Sequence, residues 1–163
     1  MSNIQVQLSD DFKYMRSLLD DPEILACVGD EDSPRLSDLP DFEIFKVNDY
    51  RLLKVTDDYV SIGVFYLFPI KPRVWEIHTI MSKNCRGKKA LEAGRLGLDH
   101  MFLFEGAESL MSRCPSDNPA CLLYAQMLHF HIVRSPKDWK RNGEYITSHH
   151  VEITRKEWEL CHC

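Results

Sequence analysis

Several spacings that would settle a site are missing from this sequence of 163 residues. No Ser or Thr follows Lys88-Lys89 to hold magnesium, and no Gly-x₄-Gly-Lys precedes it, so a nucleotide P-loop is excluded. No Gly-x-Gly-x-x-Gly is present, which excludes the dinucleotide fingerprint. None of the six cysteines (Cys27, Cys85, Cys114, Cys121, Cys161, Cys163) stands at Cys-x₂-Cys spacing. A zinc ribbon is therefore not expected, and a chain of this size needs no disulfide staples. Cys161-His162-Cys163 is an incomplete ligand set, and His149-His150 falls in a strand, where the two rings face opposite sides, so no metal is assigned. The cysteines read as reduced thiols, and the expected location is cytoplasmic.

Long apolar runs are lacking too. None approaches the ~20 residues of a membrane helix. The opening MSNIQVQLSDDF has no basic region followed by an apolar core, so no secretory signal is expected. An excess of positive charge is absent: the net charge is −5. That argues against a nucleic-acid partner, as does the want of an interleaved aromatic platform near the basic stretch Lys83 to Lys89. Repeats and low-complexity segments are absent, and one α+β domain over residues 1–163 is expected.

What remains is ordinary globular composition, 44% hydrophobic and 28% charged. Ile4 to Leu8 alternates as a short strand. Ser9 is placed to cap a helix carrying Phe12, Met15 and Leu18/Leu19 on one stripe, and Pro22 interrupts or restarts it. Asp30 to Asp41 is an acidic loop with Pro34 and Pro40. Three strands follow as a meander: Tyr50 to Val55, a turn at Asp57-Asp58, Val60 to Phe68, a break at Pro69 to Pro72, then Val74 to Met81. Leu91, Gly94/Arg95, Leu98 and Met101/Phe102 recur at helical spacing, with Gly106 after the end. Ala107 to Arg113 reads as a strand. Ala120 to Phe130 reads as a helix capped by Asp117 or Asn118, with Pro119 at its first position. Ile132 to Arg134 reads as a strand, and Arg141-Asn142-Gly143 marks a hairpin into a strand from Tyr145 to Thr154.

The most informative stretch is Val74 to Phe104. A β-branched strand passes through SKNCRGKK into a helix. The first turn of a helix has unpaired N–H groups and a partial positive charge. Arg86, Gly87, Lys88 and Lys89 sit at that end, and Gly87 lets a backbone approach an anion closely. The arrangement suits a phosphate, although a solvated basic turn has the same composition.

The meander, this loop at a helix start, and the strand, helix, strand and strand that follow resemble the GNAT superfamily of acetyl-CoA-dependent N-acetyltransferases. Arg86-Gly87-Lys88 matches the opening of that family's Arg/Gln-x-x-Gly-x-Gly/Ala loop. Asn118, Ala120, Tyr124 and Phe130 follow the outline of a second family segment. Lys89, Leu91 and His129 stand where Gly, Gly or Ala, and Gly are usual, and Tyr124 is one residue early, about 100° around a helix. The form EIH…RGKxAxEAG…F is similar to diverged GNAT-like proteins of tailed bacteriophages, some of them virion or assembly components.

The resemblance implies a GNAT-type mixed, largely antiparallel sheet with helices on both faces. It implies acetyl-CoA as co-substrate and an amine-bearing acceptor, small molecule or protein. Arg86, Gly87, Lys88, Lys89 and Ala90 would hold the pyrophosphate. Lys83 or Lys88 would reach the 3′-phosphate, and Ile80, Met81 and Ser82 would pair their backbone with the pantetheine arm. Asn118 would hydrogen-bond that arm, cap its helix, or both. Acetyl transfer needs a deprotonated amine, and Glu76 and His78 alternate onto one face of the strand as candidate bases. Burial in a narrow cleft would raise the Glu76 pKa. Both also read as structural neighbours on an exposed face. Tyr124 is either the proton donor to the leaving thiolate or a core tyrosine. Cys85, near a helix N-terminus, is expected to have a lowered pKa. The acidic loop Asp30 to Asp41 suits a cationic amine. The competing class is a non-catalytic GNAT-like bacteriophage structural or assembly protein in the host cytoplasm, with a homodimer or virion proteins as partners.

Overall fold

A computed structural model describes residues 3–33 and 49–161. Its centre is an eight-stranded sheet. β1 (Ile4–Ser9), β2 (Arg51–Asp57), β3 (Val60–Lys71) and β4 (Val74–Met81) lie side by side in an antiparallel meander. β4 then pairs in parallel with β5 (Ser109–Pro115). β8 (Glu144–Thr154) is antiparallel to β5 on its other side. β6 (His131–Arg134) and β7 (Lys137–Arg141) both pair with β8, again antiparallel. The sheet is mixed and largely antiparallel, as the sequence predicts.

Helices cover both faces. On one, α1 (Phe12–Leu19) and α2 (Pro22–Val28) bury Phe12, Met15, Leu18, Leu19 and Ile24 against Leu52, Val64 and Ile80. On the other, α3 (Lys88–Leu103) buries Ala93, Leu98, Met101 and Phe102 against Leu53, Val55, Phe65, Ile77 and Leu110. α4 (Pro119–Met127) and α5 (Arg155–Cys161) join this second core through Ala125 and Trp158. The period-2 alternation of β4 sorts its residues between the two: Trp75, Ile77 and Met81 face α3, whereas Ile80 faces α1.

Local chemistry explains the breaks. Asp21 caps α2 by accepting from the Glu23 N–H (2.9 Å), and Pro22 occupies its first turn. Asn118 caps α4 by accepting from the Cys121 N–H (3.3 Å). Asn142 and Gly143 carry φ of 53° and 78°, the left-handed pair of a tight hairpin between β7 and β8.

Four expectations need correcting. Asp11, not Ser9, caps α1, accepting from the Tyr14 N–H (3.1 Å), while Ser9 accepts from Asp11. Pro69 does not break β3. The pairing of β3 with β2 ends at Leu67, so Pro69 sits where only β4 remains alongside. β5 begins at Ser109 and runs on to Pro115. α5 was not expected, although Thr154-x-x-Glu157 carries a capping box. The Thr154 N–H donates to Glu157 (2.8 Å), and the Glu157 N–H donates to Thr154 Oγ1 (3.3 Å).

Candidate functional site

β4 and β5 part company early. Their parallel pairing covers Val74 to Glu76 opposite Ser109 to Met111 and stops. Beyond it the strands diverge around a cleft with about 670 Å³ of free space, mouth included. Ile77, His78 and Thr79 form one wall, and Ser112, Arg113 and Cys114 the other. Gly94 and Leu98 of α3 and Tyr124 of α4 line one side, Cys27 and Val28 of α2 line another, and Trp139 of β7 contributes as well.

The free edge of β4 faces this space. Ser112 Oγ donates to the Ile77 carbonyl (3.1 Å), so the Ile77 backbone points toward β5. Backbone direction alternates along a strand, so Thr79 and Met81 point the same way. Ile80 and Ser82 point toward β3, and the Ser82 N–H donates to Ile62 (2.9 Å). Of Ile80, Met81 and Ser82, only Met81 points its backbone away from β3, as does Thr79, which lines the cleft. Ser82 Oγ is buried with no hydrogen-bond partner.

The chain then enters the basic loop. Gly87 has φ +58° and ψ −126°, a conformation that side chains resist, and an added Cβ there would meet open space. The sixteen-residue α3 starts at Lys88 with no side-chain cap. Its first turn closes with Leu91 N–H to the Gly87 carbonyl (3.2 Å). Among the described residues, the N–H groups of Arg86 to Ala90 have no acceptor, and Arg86 and Lys88 have no acidic partner. Lys89 is different: its ammonium pairs with Asp57 of β2 (2.5 Å), across the side of the loop. Lys83 bridges Asp21 (3.3 Å) and Glu23 (3.2 Å), toward α2. At this loop Arg86 and Lys88 thus keep their charge free, whereas Lys89 and Lys83 are engaged by carboxylates.

Glu76 and His78 lie together on β4, Nε2 to Oε1 3.3 Å apart, and Arg113 Nε reaches the same oxygen at 3.3 Å. His78 stacks on Phe68 (5.4 Å between rings). Burial pushes the Glu76 pKa up, but the hydrogen bond and charge of His78, with Arg113 beside it, outweigh burial and hold Glu76 below the ordinary carboxylate range. The expected upward shift is therefore reversed by partners that the sequence does not place.

Tyr124 lines the cleft, and its hydroxyl donates to the Ala90 carbonyl (3.1 Å), joining α4 to the first turn of α3. Burial raises its pKa and keeps the hydroxyl protonated. Gly94 makes the room: a Cβ there would lie 2.5 Å from Tyr124 Oη and 2.5 Å from Leu128 Cδ1. His129 has φ +66° at the end of α4, a left-handed position that favours glycine.

Cys85 is 0% exposed, and burial pushes its thiol up, against the expected activation. Iodoacetamide at neutral pH should label exposed Cys161 in the folded protein and reach Cys85 and Cys114 only after unfolding. Peptide mass mapping checks this, and early modification of Cys85 would contradict it.

Asp30, Glu31 and Asp32 do not wait for a cationic acceptor. Asp30 accepts from the Lys140 N–H (3.2 Å), Asp32 pairs with Lys140 (2.9 Å) and accepts from Tyr145 (2.7 Å), and Glu31 accepts from Asn142 and Gly143. The remainder of the expected acidic loop, residues 34–41, lies outside the described residues.

A meander, a splayed β4/β5 pair and an uncapped helix after a Gly loop are now all in place. This is the GNAT fold. The chain resembles the spermidine N-acetyltransferase of Vibrio cholerae in complex with CoA and spermine, at TM-score 0.81 and 18% identity over 96% of this chain and 98% of that one. Mutant forms of the same organism's spermidine/spermine N-acetyltransferase SpeG match at 0.79 and 16%, over 98% of each chain. SpeG in complex with manganese ions matches at 0.75 and 17%, over 97% of this chain and 96% of that one. No protein-family model and no curated protein matches the sequence. No helix among the described residues is long and apolar enough to cross a membrane.

Sequence reasoning missed Thr79, Ser112, Arg113 and Trp139. Each is an ordinary strand residue, and only the divergence of β4 from β5 and the placement of β7 bring them to one cleft.

Proposed function

We propose that this chain is an acetyl-CoA-dependent N-acetyltransferase working by direct transfer to an amine. The observation that carries the reading is the cleft between β4 and β5, with the uncapped start of α3 close by. The N–H groups of Arg86 to Ala90 suit a pyrophosphate, with Arg86 and Lys88 supplying charge. The free backbone of Thr79 and Met81 suits the amide groups of a pantetheine arm. Asn118 caps α4 near the same wall.

In this reading the neutral amine attacks the thioester carbonyl. A backbone N–H on the free edge of β4 takes the developing oxyanion. His78 receives the amine proton, and Glu76, held ionised beside it, orients the imidazole and stabilises the positive charge that forms on it. Tyr124, held protonated by burial, is the proton donor in the cleft wall for the departing thiolate. The acceptor is an amine. The resemblance to bacteriophage proteins rests on the sequence motif alone.

Calorimetry with acetyl-CoA and with coenzyme A tests the reading. Micromolar binding is expected, weakened about tenfold or more by Arg86→Glu, which places a carboxylate at the loop. Absence of binding at millimolar ligand, or binding indifferent to Arg86→Glu, would overturn it.

A further inference from the structure

The charge on the described side chains around the cleft bears on what the acceptor is. A diamine or polyamine is recognised by free carboxylates. Among the described residues near the cleft, the carboxylates are already engaged. Glu76 is shared by His78 and Arg113. Asp117 is paired with Arg141 (2.7 Å). Asp30, Glu31 and Asp32 are held by the β7–β8 hairpin. Asp138 accepts from Ser148 and bonds His150 (2.7 Å).

The unengaged groups are donors. Arg113 lines the cleft and uses only its Nε, toward Glu76; its Nη1 and Nη2 donate to none of the described residues. Its side chain keeps 36% of its surface exposed. Its guanidinium lies 5.8 Å from the centre of the Trp139 ring. Trp139 lines the same cleft, is 3% exposed, and its indole N–H has no acceptor. A buried indole N–H without a partner is destabilising, and an incoming acceptor atom relieves the cost. Arg141, whose guanidinium lies 6.0 Å from the same ring centre, is used up by Asp117 and the Ala26 carbonyl (2.9 Å).

Unengaged guanidinium nitrogens and an unpaired indole N–H in the lining of one cleft match a planar oxyanion, which a guanidinium binds with two parallel hydrogen bonds. Position agrees. Arg113 stands two residues beyond Met111, the last β5 residue paired with β4, on the wall opposite His78 and Thr79. A group held there leaves an amine a few atoms away free to reach the edge of β4.

We infer that the acceptor carries a carboxylate beside its amine, as in a free amino acid, and that Arg113 and Trp139 bind that carboxylate. This rests on the acetyl-transfer reading and names its substrate class. The chemistry differs from that of the polyamine named with the structurally similar enzyme. Arg113 is then a specificity determinant that touches substrate, and Trp139 contributes its N–H.

Matched pairs differing only in the carboxylate decide the matter: ornithine against putrescine, and histidine against histamine. Each is titrated into the full chain saturated with coenzyme A. The amino acid of a pair is expected to bind about tenfold or more tightly than its decarboxylated counterpart. Arg113→Gln should abolish that preference. Trp139→Phe, which keeps a ring in place, should reduce it, so the test survives if one variant folds poorly. The inference is overturned if the amines bind as well as the amino acids, if neither amino acid binds, or if the preference survives Arg113→Gln. If coenzyme A fails to bind the wild-type chain, the acetyl-transfer reading falls, and the same titrations on the free protein decide the carboxylate site separately.

Discussion

Gly94→Val is expected to lower stability by about 1–3 kcal/mol, with the transition in urea moving to lower concentration at unchanged slope. Helix propensity works the other way. Valine is a few tenths of a kcal/mol better than glycine inside a helix. Packing decides, because even the first added carbon would lie 2.5 Å from both Tyr124 Oη and Leu128 Cδ1. Leu128 is buried, and the Tyr124 hydroxyl is held by the Ala90 carbonyl, so neither moves without loss. α3 and α4 would be forced apart along one side of the cleft. Tyr124→Phe removes one of the two clashing atoms. The double variant should therefore lose less stability than the two single variants summed. Strict additivity would show that the valine is accommodated elsewhere.

Glu76→Gln is expected to cost about 1–3 kcal/mol at neutral pH and to flatten the acid limb of the stability profile. The wild-type carboxylate has a folded pKa below its ordinary 4.5, because His78 and Arg113 outweigh its burial. A depressed pKa means stability that is fully present above the unfolded-chain value and lost as pH falls through the folded one. Asp11, paired with Lys54, and Asp138, bonded to Ser148 and His150, act in the same direction from an ordinary value of 3.8. Stability should therefore hold from neutral pH to about 5 and decline below 4.5, less steeply in Glu76→Gln. Urea denaturation at a series of pH values measures both curves. Parallel acid limbs would mean that Glu76 is not held ionised by its neighbours.

Elements whose information is local were legible in the sequence. Proline at the first turn of α2 and α4, Asn118 as a cap, Asn142-Gly143 as a turn, and the helical spacing after Gly87 each act within a few residues. The Gly loop opening α3 was legible too, because it is a contiguous feature. Pro69 misled, since its tolerance in β3 depends on where β2 stops. Cys85 misled for a related reason: its nearness to a helix start is local, but its complete burial is decided by the packing around it. Lys89 carries the right charge in the right loop, yet Asp57, thirty-two positions away, claims it. The polar cluster around Glu76 was half visible. Glu76 and His78 share one strand face, while Arg113 and Trp139 reach it from strands whose pairing no short window encodes. α5 had a local signal in Thr154 and Glu157, and it was overlooked.

The place of β8 bears on how the chain is made. β5 shares only Ser109 to Met111 with β4, so its neighbour for the remaining length is β8. β8 is nonetheless the final strand of the sheet in chain order. During vectorial synthesis, a ribosome would release every earlier strand with β5 still bare along one side. That side is an open hydrogen-bonding edge, able to recruit a foreign strand. It closes only after residues 144–154 emerge and thread between β5 and β6. Closure joins distant segments, a slow event by topology. A nascent chain whose residues 144–154 have yet to emerge would thus be a candidate for chaperone capture, whereas one in which they have emerged can complete its sheet.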